Sequence, residues 1–226
     1  MRGIDIKQIH MRSFRISGLA AKWGIGENRS LIWDNNLVAR WDARTFPDGK
    51  LAKIPNTATM AGKAPDLAVS GATMASGTLQ LDGVNDLLFT DSFMFPERFT
   101  VFWDIDWLGS EGTRAGIVHP SDLYLYNYAA YGSVGCYIKS YSSGALIPTT
   151  SVGLSTNGDI YAPDGSVTPS PGIIGTQTYR NPLRIGYSTE TDPITYTQMG
   201  FRQLLIFDKV LSRAEANDVL SVMFPA

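Results

Sequence analysis

From residue 37 onward, apolar and polar residues alternate with a period of two in several short runs. The clearest runs are LVARWDAR at 37–44, GTLQLDG at 77–83 and FTVFWDIDW at 99–107, and turn-forming residues follow them. Alternation with this period is typical of β-strands that bury one face. The pattern therefore predicts an all-β protein built mainly of short antiparallel strands.

The last part of the sequence changes its period from two to about 3.6. Ser212 is followed three residues later by Glu215, which is the spacing of a capping box at the start of a helix. Val219, Leu220 and Val222 would share one apolar side of that helix. We therefore predict one short helix after the final strand.

One run in the middle of these strands predicts a β-hairpin. Leu79 and Leu81 alternate with polar residues, the turn sequence GVND follows at 83–86, and apolar residues resume at 87–89. A tight turn between two apolar runs favours pairing of the flanking strands with each other. We expect both strands to belong to the same sheet.

The segments between these runs differ in composition. The stretch at 56–77 holds few large side chains, so we expect a connector that crosses the surface. LRIGYS at 183–188 instead predicts one further continuous strand. The region at 124–141 contains six tyrosines and predicts amphipathic strands.

Taken in order, these runs resemble the laminin-G-like, concanavalin A-like jelly-roll domains found in bacterial and phage proteins. The segment at 79–87 is similar to the family's LxFDGxxDyv element, and the segment at 201–220 is similar to its closing ideVriYnraLsxeEixxl element. The resemblance implies a two-sheet antiparallel jelly-roll sandwich with a short C-terminal helix, over a domain at 37–226.

A closed sandwich of this kind needs its first and last strands side by side. We therefore predict pairing of residues 37–42 with residues 203–207. The short helix would then cap one end of the open core with Leu211, Val219 and Leu220.

Residues 1–36 lie outside the resemblance and form a separate N-terminal arm or connector. The first 33 residues contain six basic and two acidic side chains, whereas the whole chain carries a net charge of -2. A basic segment with strand-like alternation favours attachment to a neighbouring protein surface. The residues expected to bind that partner are Arg2, Ile4, Ile6, Arg12, Phe14, Arg15, Trp23 and Trp33.

The candidates for catalysis depart from the patterns that catalysis requires. Asp104 and Asp106 share a strand face, and retaining glycosidases use two carboxyl groups about 5 Å apart. However, no glutamate stands at the spacing that the hydrolase branch of the family would imply. The two histidines, His10 and His119, lack a Gly-x-Ser-x-Gly elbow. We therefore expect no enzymatic activity.

A lyase reading is equally incomplete. Tyr137 and Lys139 match the Tyr-x-Lys element of the polysaccharide-lyase branch, but the arginine-rich strand that accompanies it is missing. A match of three residues carries little weight by itself.

No cofactor is expected from the sequence. The single cysteine, Cys136, can form neither an intramolecular disulfide nor a cysteine-rich zinc site. Calcium is an alternative, because Asp82, Asn85 and Asp86 supply oxygen ligands in one turn. Turn-forming hydrogen bonds explain the same residues without a metal.

Two classes of function remain open at this point. The leading prediction is a non-catalytic structural or adhesion module, in a phage or prophage virion as a capsid decoration, fibre or tail component, with other virion subunits or further copies of itself as partners. The alternative is a carbohydrate-binding module or a glycan-active enzyme on the same fold. Sugar contacts would then use Tyr124, Tyr126, Tyr128 and Tyr131.

Location and other ligands follow from charge and hydropathy. The first residues contain no apolar run of signal-peptide length, so we expect assembly in the host cytoplasm and location in the virion. No run of about 20 apolar residues predicts a membrane span. The body is acidic and the arm holds few clustered basic residues, so nucleic acid is not expected as a partner.

Overall fold

The computed structural model describes residues 35–58, 60, 64–93, 96–108, 123–128, 133–138, 145–148, 151–169, 183–188 and 195–225. These residues form short strands followed by one helix, α1, at Arg213–Met223. In chain order the strands are β1 Leu37–Asp42, β2 Gly49–Lys50, β3 Lys53–Ile54, β4 Leu67–Ser70, β5 Thr73–Ala75, β6 Thr78–Asp82, β7 Leu87–Phe89, β8 Thr100–Trp107, β9 Leu123–Tyr128, β10 Ser133–Ile138, β11 Ala145–Pro148, β12 Gly153–Ser155, β13 Asp159–Tyr161, β14 Val167–Pro169, β15 Arg184–Ile185, β16 Tyr187–Ser188, β17 Thr195–Tyr196 and β18 Gln198–Phe207.

The strands form two principal antiparallel sheets. The large sheet has nine strands in the order β14-β13-β12-β8-β18-β6-β5-β2, with β1 also paired to β18. The small sheet has four strands in the order β15-β7-β4-β3. A three-stranded sheet, β11-β10-β9, and the pair β16-β17 complete the described strands. The predicted class, an all-β sandwich with one short C-terminal helix, is confirmed.

The longest strand, β18, organises the large sheet. Along one edge it pairs with β8 from Met199 to Phe207. Along the other edge it pairs first with β6 and then with β1. Leu37 lies opposite Phe207, and Asp42 lies opposite Gln203. The predicted pairing of the first described strand with the last is therefore confirmed, although β18 lies inside the sheet and not at its edge.

A large apolar core fills the space between the two principal sheets. The large sheet contributes Trp41, Trp103 and Phe201, none of which is more than 1% exposed. The small sheet contributes a buried side chain from each of its strands: Ile54, Leu67, Leu88 and Ile185. This burial of both inner faces is the main stabilising contribution to the sandwich.

Helix α1 builds a second core on the outer face of the large sheet. Val219 and Leu220 pack there with Phe102 and Leu205. The prediction that the helix covers the end of the main core is wrong, because Phe102 and its neighbours on alternate positions point away from that core. The prediction that Val222 belongs to the apolar side is also wrong, since this residue is 53% exposed. Burial of Leu211, Val219 and Leu220 is confirmed.

The predicted hairpin is a corner between the two principal sheets. Strand β6 pairs with β5 and β18 in the large sheet, whereas β7 pairs with β4 and β15 in the small one. The Asp82 carboxylate accepts hydrogen bonds from the backbone N–H groups of Val84 and Asn85 at 2.8 and 3.3 Å. This aspartate turn bends the chain, so the two flanking strands separate and do not pair with each other.

Two further segments differ from the prediction. The 56–77 segment contains β4 and β5, and it buries Leu67 and Met74 in the main core. The run at 183–188 is divided between two sheets at Gly186, which has a φ of 83°. The backbone angle favours glycine there, and a side chain at Gly186 would also displace the end of the Leu81 side chain.

Candidate functional site

A group of charged residues occupies the part of the large sheet's outer face that α1 leaves open. Strand β8 places Asp104 and Asp106 on the same face as Phe102, and it turns Trp103 toward the main core. In β18, Phe201 lies opposite Ile105 and Gln203 lies opposite Asp104, so Arg202 is an extra residue in the strand. The β-bulge places the Arg202 side chain beside both aspartates.

Arg202 joins the two aspartates of β8. Its Nε donates to Asp104 Oδ1 at 2.8 Å. Its Nη1 and Nη2 donate to Asp106 Oδ2 and Oδ1 at 2.5 and 2.8 Å. The pairing with Asp106 is bidentate, which fixes the plane of the guanidinium group. The Asp104 side chain is 11% exposed and that of Asp106 is 49% exposed. Arg202 therefore bridges one mostly buried carboxylate and one that is open to solvent.

A second set of polar contacts continues the group onto β1. Arg44 Nε and Nη2 donate to the two oxygens of Asp42 at 2.9 and 2.8 Å. Arg40 Nη2 lies 3.7 Å from Asp42 Oδ2. Gln203 Nε2 donates to the same Asp42 oxygen at 3.0 Å. We call this surface the arginine–aspartate patch, and its charged residues are Arg40, Asp42, Arg44, Asp104, Asp106 and Arg202.

The electrostatics of the patch favour the charged forms of Asp42, Asp106 and Arg202. Hydrogen bonding to Arg202 lowers the pKa of Asp106. Burial acts to raise the pKa of Asp42, but the hydrogen bonds and charge of Arg44 outweigh burial, so the net pKa is lowered. The hydrogen bonds with Asp106 raise the pKa of Arg202. All three side chains therefore carry full charge near neutral pH.

This arrangement opposes an acid–base role for Asp106. A glycosidase acid needs a raised pKa so that it holds a proton near neutral pH. The pKa of Asp106 moves in the opposite direction, and the oxygens that would attack or donate already accept from Arg202. The patch offers fixed hydrogen-bond donors and acceptors rather than a proton donor.

The turn considered for calcium has its carboxylates bonded to the backbone. Asp82 accepts from Val84 and Asn85, and Asp86 Oδ2 accepts from the N–H of Asp82 at 2.9 Å. Asp86 is 6% exposed, and burial raises its pKa. Across the described ranges, no three His, Cys, Asp or Glu side chains form a group that could hold a metal ion.

Several predicted residues lie outside the described part of the chain. All the arm positions do so: Arg2, Ile4, Ile6, Arg12, Phe14, Arg15, Trp23 and Trp33. His10, His119, Tyr131 and Lys139 also lie outside it. Tyr124, Tyr126 and Tyr128 lie in β9, and Tyr137 in β10, but their side chains are not among those described. Partner binding by the arm and sugar contact by the tyrosines therefore stay predictions.

Sequence reasoning found only the aspartates of β8. Their alternation with Phe102 placed them correctly on the face opposite Trp103. It did not find Arg202, because the bulge that aims this side chain has no signature in the sequence. For the rest, the available signal was the pair of polar residues Asp42 and Gln203, which lie opposite each other in two mostly apolar strands.

No helix in the described residues has both the length and the apolar character that a membrane crossing requires. No family model matches the sequence. No curated protein matches it either.

Solved structures share the fold of this chain at low sequence identity. The structure of Trypanosoma rangeli sialidase in complex with sialic acid matches with a TM-score of 0.63 and 11% identity, over 97% of this chain and 40% of the sialidase chain. The binding domain of botulinum neurotoxin serotype D matches with a TM-score of 0.61 and 14% identity, over 85% of this chain and 53% of that one. The receptor binding domain of botulinum neurotoxin type G matches with a TM-score of 0.50 and 11% identity, over 84% and 52% of the two chains.

This chain therefore spans about two fifths of the sialidase and about half of the two toxin chains. At these identities the likeness concerns architecture alone. Together with the sheet order and the closing helix, it shows a β-sandwich with a jelly-roll-like fold.

Proposed function

We propose that this chain is a non-catalytic adhesion module, a rigid sandwich that binds a ligand without changing it chemically. The supporting observation is the Arg202 bridge. It engages both aspartates of β8, and hydrogen bonding within it lowers the pKa of Asp106. Rigid sheets that present fixed polar groups suit binding, because little side-chain freedom is lost when a ligand docks.

The ligand class that we propose is a glycan. The fold is shared with a sialidase solved with sialic acid and with toxin domains named for binding and for receptor binding. Strand β9 has the sequence LYLYNY, and tyrosine is a residue type that stacks on sugar faces. Both points support glycan adhesion over a purely architectural role.

A more specific identity is also proposed, as a laminin-G-like virion component of a phage or prophage. Residues 1–36 would attach the sandwich to another virion subunit or to a second copy of the chain. Its support is the resemblance in the sequence and the excess of basic residues in the first 33 positions.

Binding of the purified protein to an array of defined oligosaccharides tests the adhesion proposal. We expect saturable binding to a subset of glycans, with no release of reducing sugar after prolonged incubation. Turnover of any bound glycan would contradict the non-catalytic assignment, and an array without binding would contradict the glycan assignment.

Deletion of residues 1–33 tests the attachment role of the arm. We expect the full chain to self-associate or to assemble with a partner subunit in sedimentation velocity, and the shortened chain to stay monomeric. Circular dichroism verifies that the shortened chain keeps its β structure. Equal assembly of both chains would refute the role of the arm.

A further inference from the structure

The outer face of the large sheet is divided into two unlike halves. Over one half, Phe102, Leu205 and Phe207 lie beneath α1. Over the other half, the same strands present the arginine–aspartate patch. The helix ends at the boundary, where Arg44 Nη1 lies 3.4 Å from the carbonyl oxygen of Met223. The patch therefore begins at the last turn of the helix and extends to Asp106.

Stability alone does not account for the patch. The exposed Arg202–Asp106 pair contributes about 0–1 kcal/mol. For the mostly buried Asp42 and Asp104, the cost of removing the charges from water offsets much of the attraction. Beneath them, Gln203 is 1% exposed, and within the described part of the chain its Oε1 has no hydrogen-bond partner. Leaving a buried acceptor unpaired costs about 1–3 kcal/mol. Apolar residues under a longer helix would cover this half of the sheet at lower cost.

The charges of the patch balance. Three arginines and three aspartates alternate from Arg44 through Asp42 to Arg202 and Asp106. A phosphate or carboxylate would meet the aspartates, and a metal cation would meet the arginines. A neutral ligand with donors and acceptors on adjacent atoms fits such a surface better than a charged one does.

The Arg202–Asp106 pair has hydrogen-bonding capacity left for that ligand. Arg202 uses three of its five N–H groups in the bonds to Asp104 and Asp106, so one N–H on each terminal nitrogen is left. Each Asp106 oxygen accepts one of these bonds and can accept more, and its side chain is 49% exposed. A hydroxyl group can accept from Arg202 and donate to Asp106 at the same time.

We propose that the arginine–aspartate patch is a binding site for a neutral saccharide, in which Arg202 and Asp106 bind two adjacent hydroxyl groups of one sugar ring. This inference rests on the proposed glycan adhesion and assigns the sugar contacts to the outer face of the large sheet instead of to the tyrosines of β9. The bidentate pair is fixed before the ligand arrives, and Arg44 extends the donor surface toward the end of α1.

Asp106→Ala and Arg202→Met test the site in the full chain, with Lys53→Ala as a matched control. Lys53 forms an exposed ion pair with Asp66 at 2.7 Å, and it belongs to β3 of the small sheet, whereas the patch lies on the large sheet. The probes are the neutral oligosaccharides that bind the wild type on the array, and the readout is the dissociation constant by titration calorimetry. We expect each patch variant to bind about tenfold more weakly or worse, and the control to bind unchanged.

The Asp106→Ala variant is expected to fold, because the Asp106 carboxylate is half exposed and Asp104 still holds Arg202 in place. Its affinity therefore tests the site even if Arg202→Met misfolds. Equal affinity of the wild type and Asp106→Ala would overturn the site and leave glycan adhesion standing. Binding restricted to sialylated or sulfated glycans would overturn the neutral-ligand assignment. An array with no bound glycan would overturn the proposed function and this site together.

Discussion

The buried hydroxyl of Thr100 accepts a hydrogen bond from the backbone N–H of Leu211 at 3.0 Å. The same hydroxyl donates to the carbonyl oxygen of Lys209 at 3.0 Å. Thr100 belongs to β8, whereas the two backbone groups belong to the turn between β18 and α1. The Thr100 side chain therefore joins the first residue of β8 to the turn that precedes α1.

Replacing this hydroxyl should destabilise the protein. Thr100→Val keeps the shape of the side chain but leaves a buried N–H and a buried carbonyl unpaired, so we expect the free energy of unfolding to fall by roughly 1–3 kcal/mol. Urea unfolding followed by circular dichroism measures the change. Thr168→Val, at an exposed position of β14, is the control and should change stability by less than about 0.5 kcal/mol. Equal effects of the two variants would contradict the anchoring role.

The buried carboxyl of Asp86 should make stability depend on pH. Burial raises its pKa, and the nearby Asp82 carboxylate adds to the effect, while the hydrogen bond from the Asp82 N–H acts in the opposite direction. Because the pKa is higher in the folded state, this group stabilises the protein below the unfolded pKa of about 4. That contribution is lost as the pH rises through the folded pKa.

Asp86→Asn removes this titration and isolates it. Urea unfolding of both proteins between about pH 3 and about pH 7 should show the wild type losing stability relative to the variant as the pH rises. Asp106→Asn is the opposite case, since hydrogen bonding to Arg202 lowers the pKa of Asp106. The wild-type advantage over that variant should disappear as the pH falls. If the stability difference between wild type and variant changed with pH in the same direction for both variants, the opposite pKa shifts of Asp86 and Asp106 would be contradicted.

The sequence contains enough information for the sheets but not for every connection. Alternation in LVARWDA and in FTVFWDIDW identified β1 and β8, and the pairing of β1 with the last strand is as predicted. The capping box was equally local, since Ser212 and Glu215 bond to each other's backbone N–H groups. Such signals are readable because one strand or one turn of helix contains them entirely.

The errors concern relationships between distant segments. The aspartate turn after β6 looks the same in a hairpin and in a corner between sheets, so the sequence could not show that β7 leaves the large sheet. Arg202 joins the patch through a bulge whose register depends on β8. The side of the sheet on which α1 packs depends on Phe102 and Leu205, which alternation marks only as apolar.

Gly186 should tolerate no side chain. Its φ of 83° strains any other residue, and an added Cβ would also contact Leu81 in the main core. We expect Gly186→Ala to lower the free energy of unfolding by roughly 2–4 kcal/mol. Gly77→Ala is the matched control, because Gly77 has a φ of 73° but open space around it, and its cost should be about 1 kcal/mol. Similar costs at both positions would show that the contact with Leu81 contributes nothing.

The second core predicts that substitutions at two residues of α1, Leu220 and Val222, lower the free energy of unfolding by different amounts. Leu220 is 2% exposed and packs in the cluster that contains Phe102, so Leu220→Ala should lower the free energy of unfolding by about 2–5 kcal/mol. Val222 is 53% exposed, so Val222→Ala should change stability by less than about 0.5 kcal/mol. Chemical denaturation of both variants measures the difference. If α1 were only loosely attached, the Leu220 variant would lose as little as the Val222 variant, and the helix would not stabilise the sheet on which the patch lies.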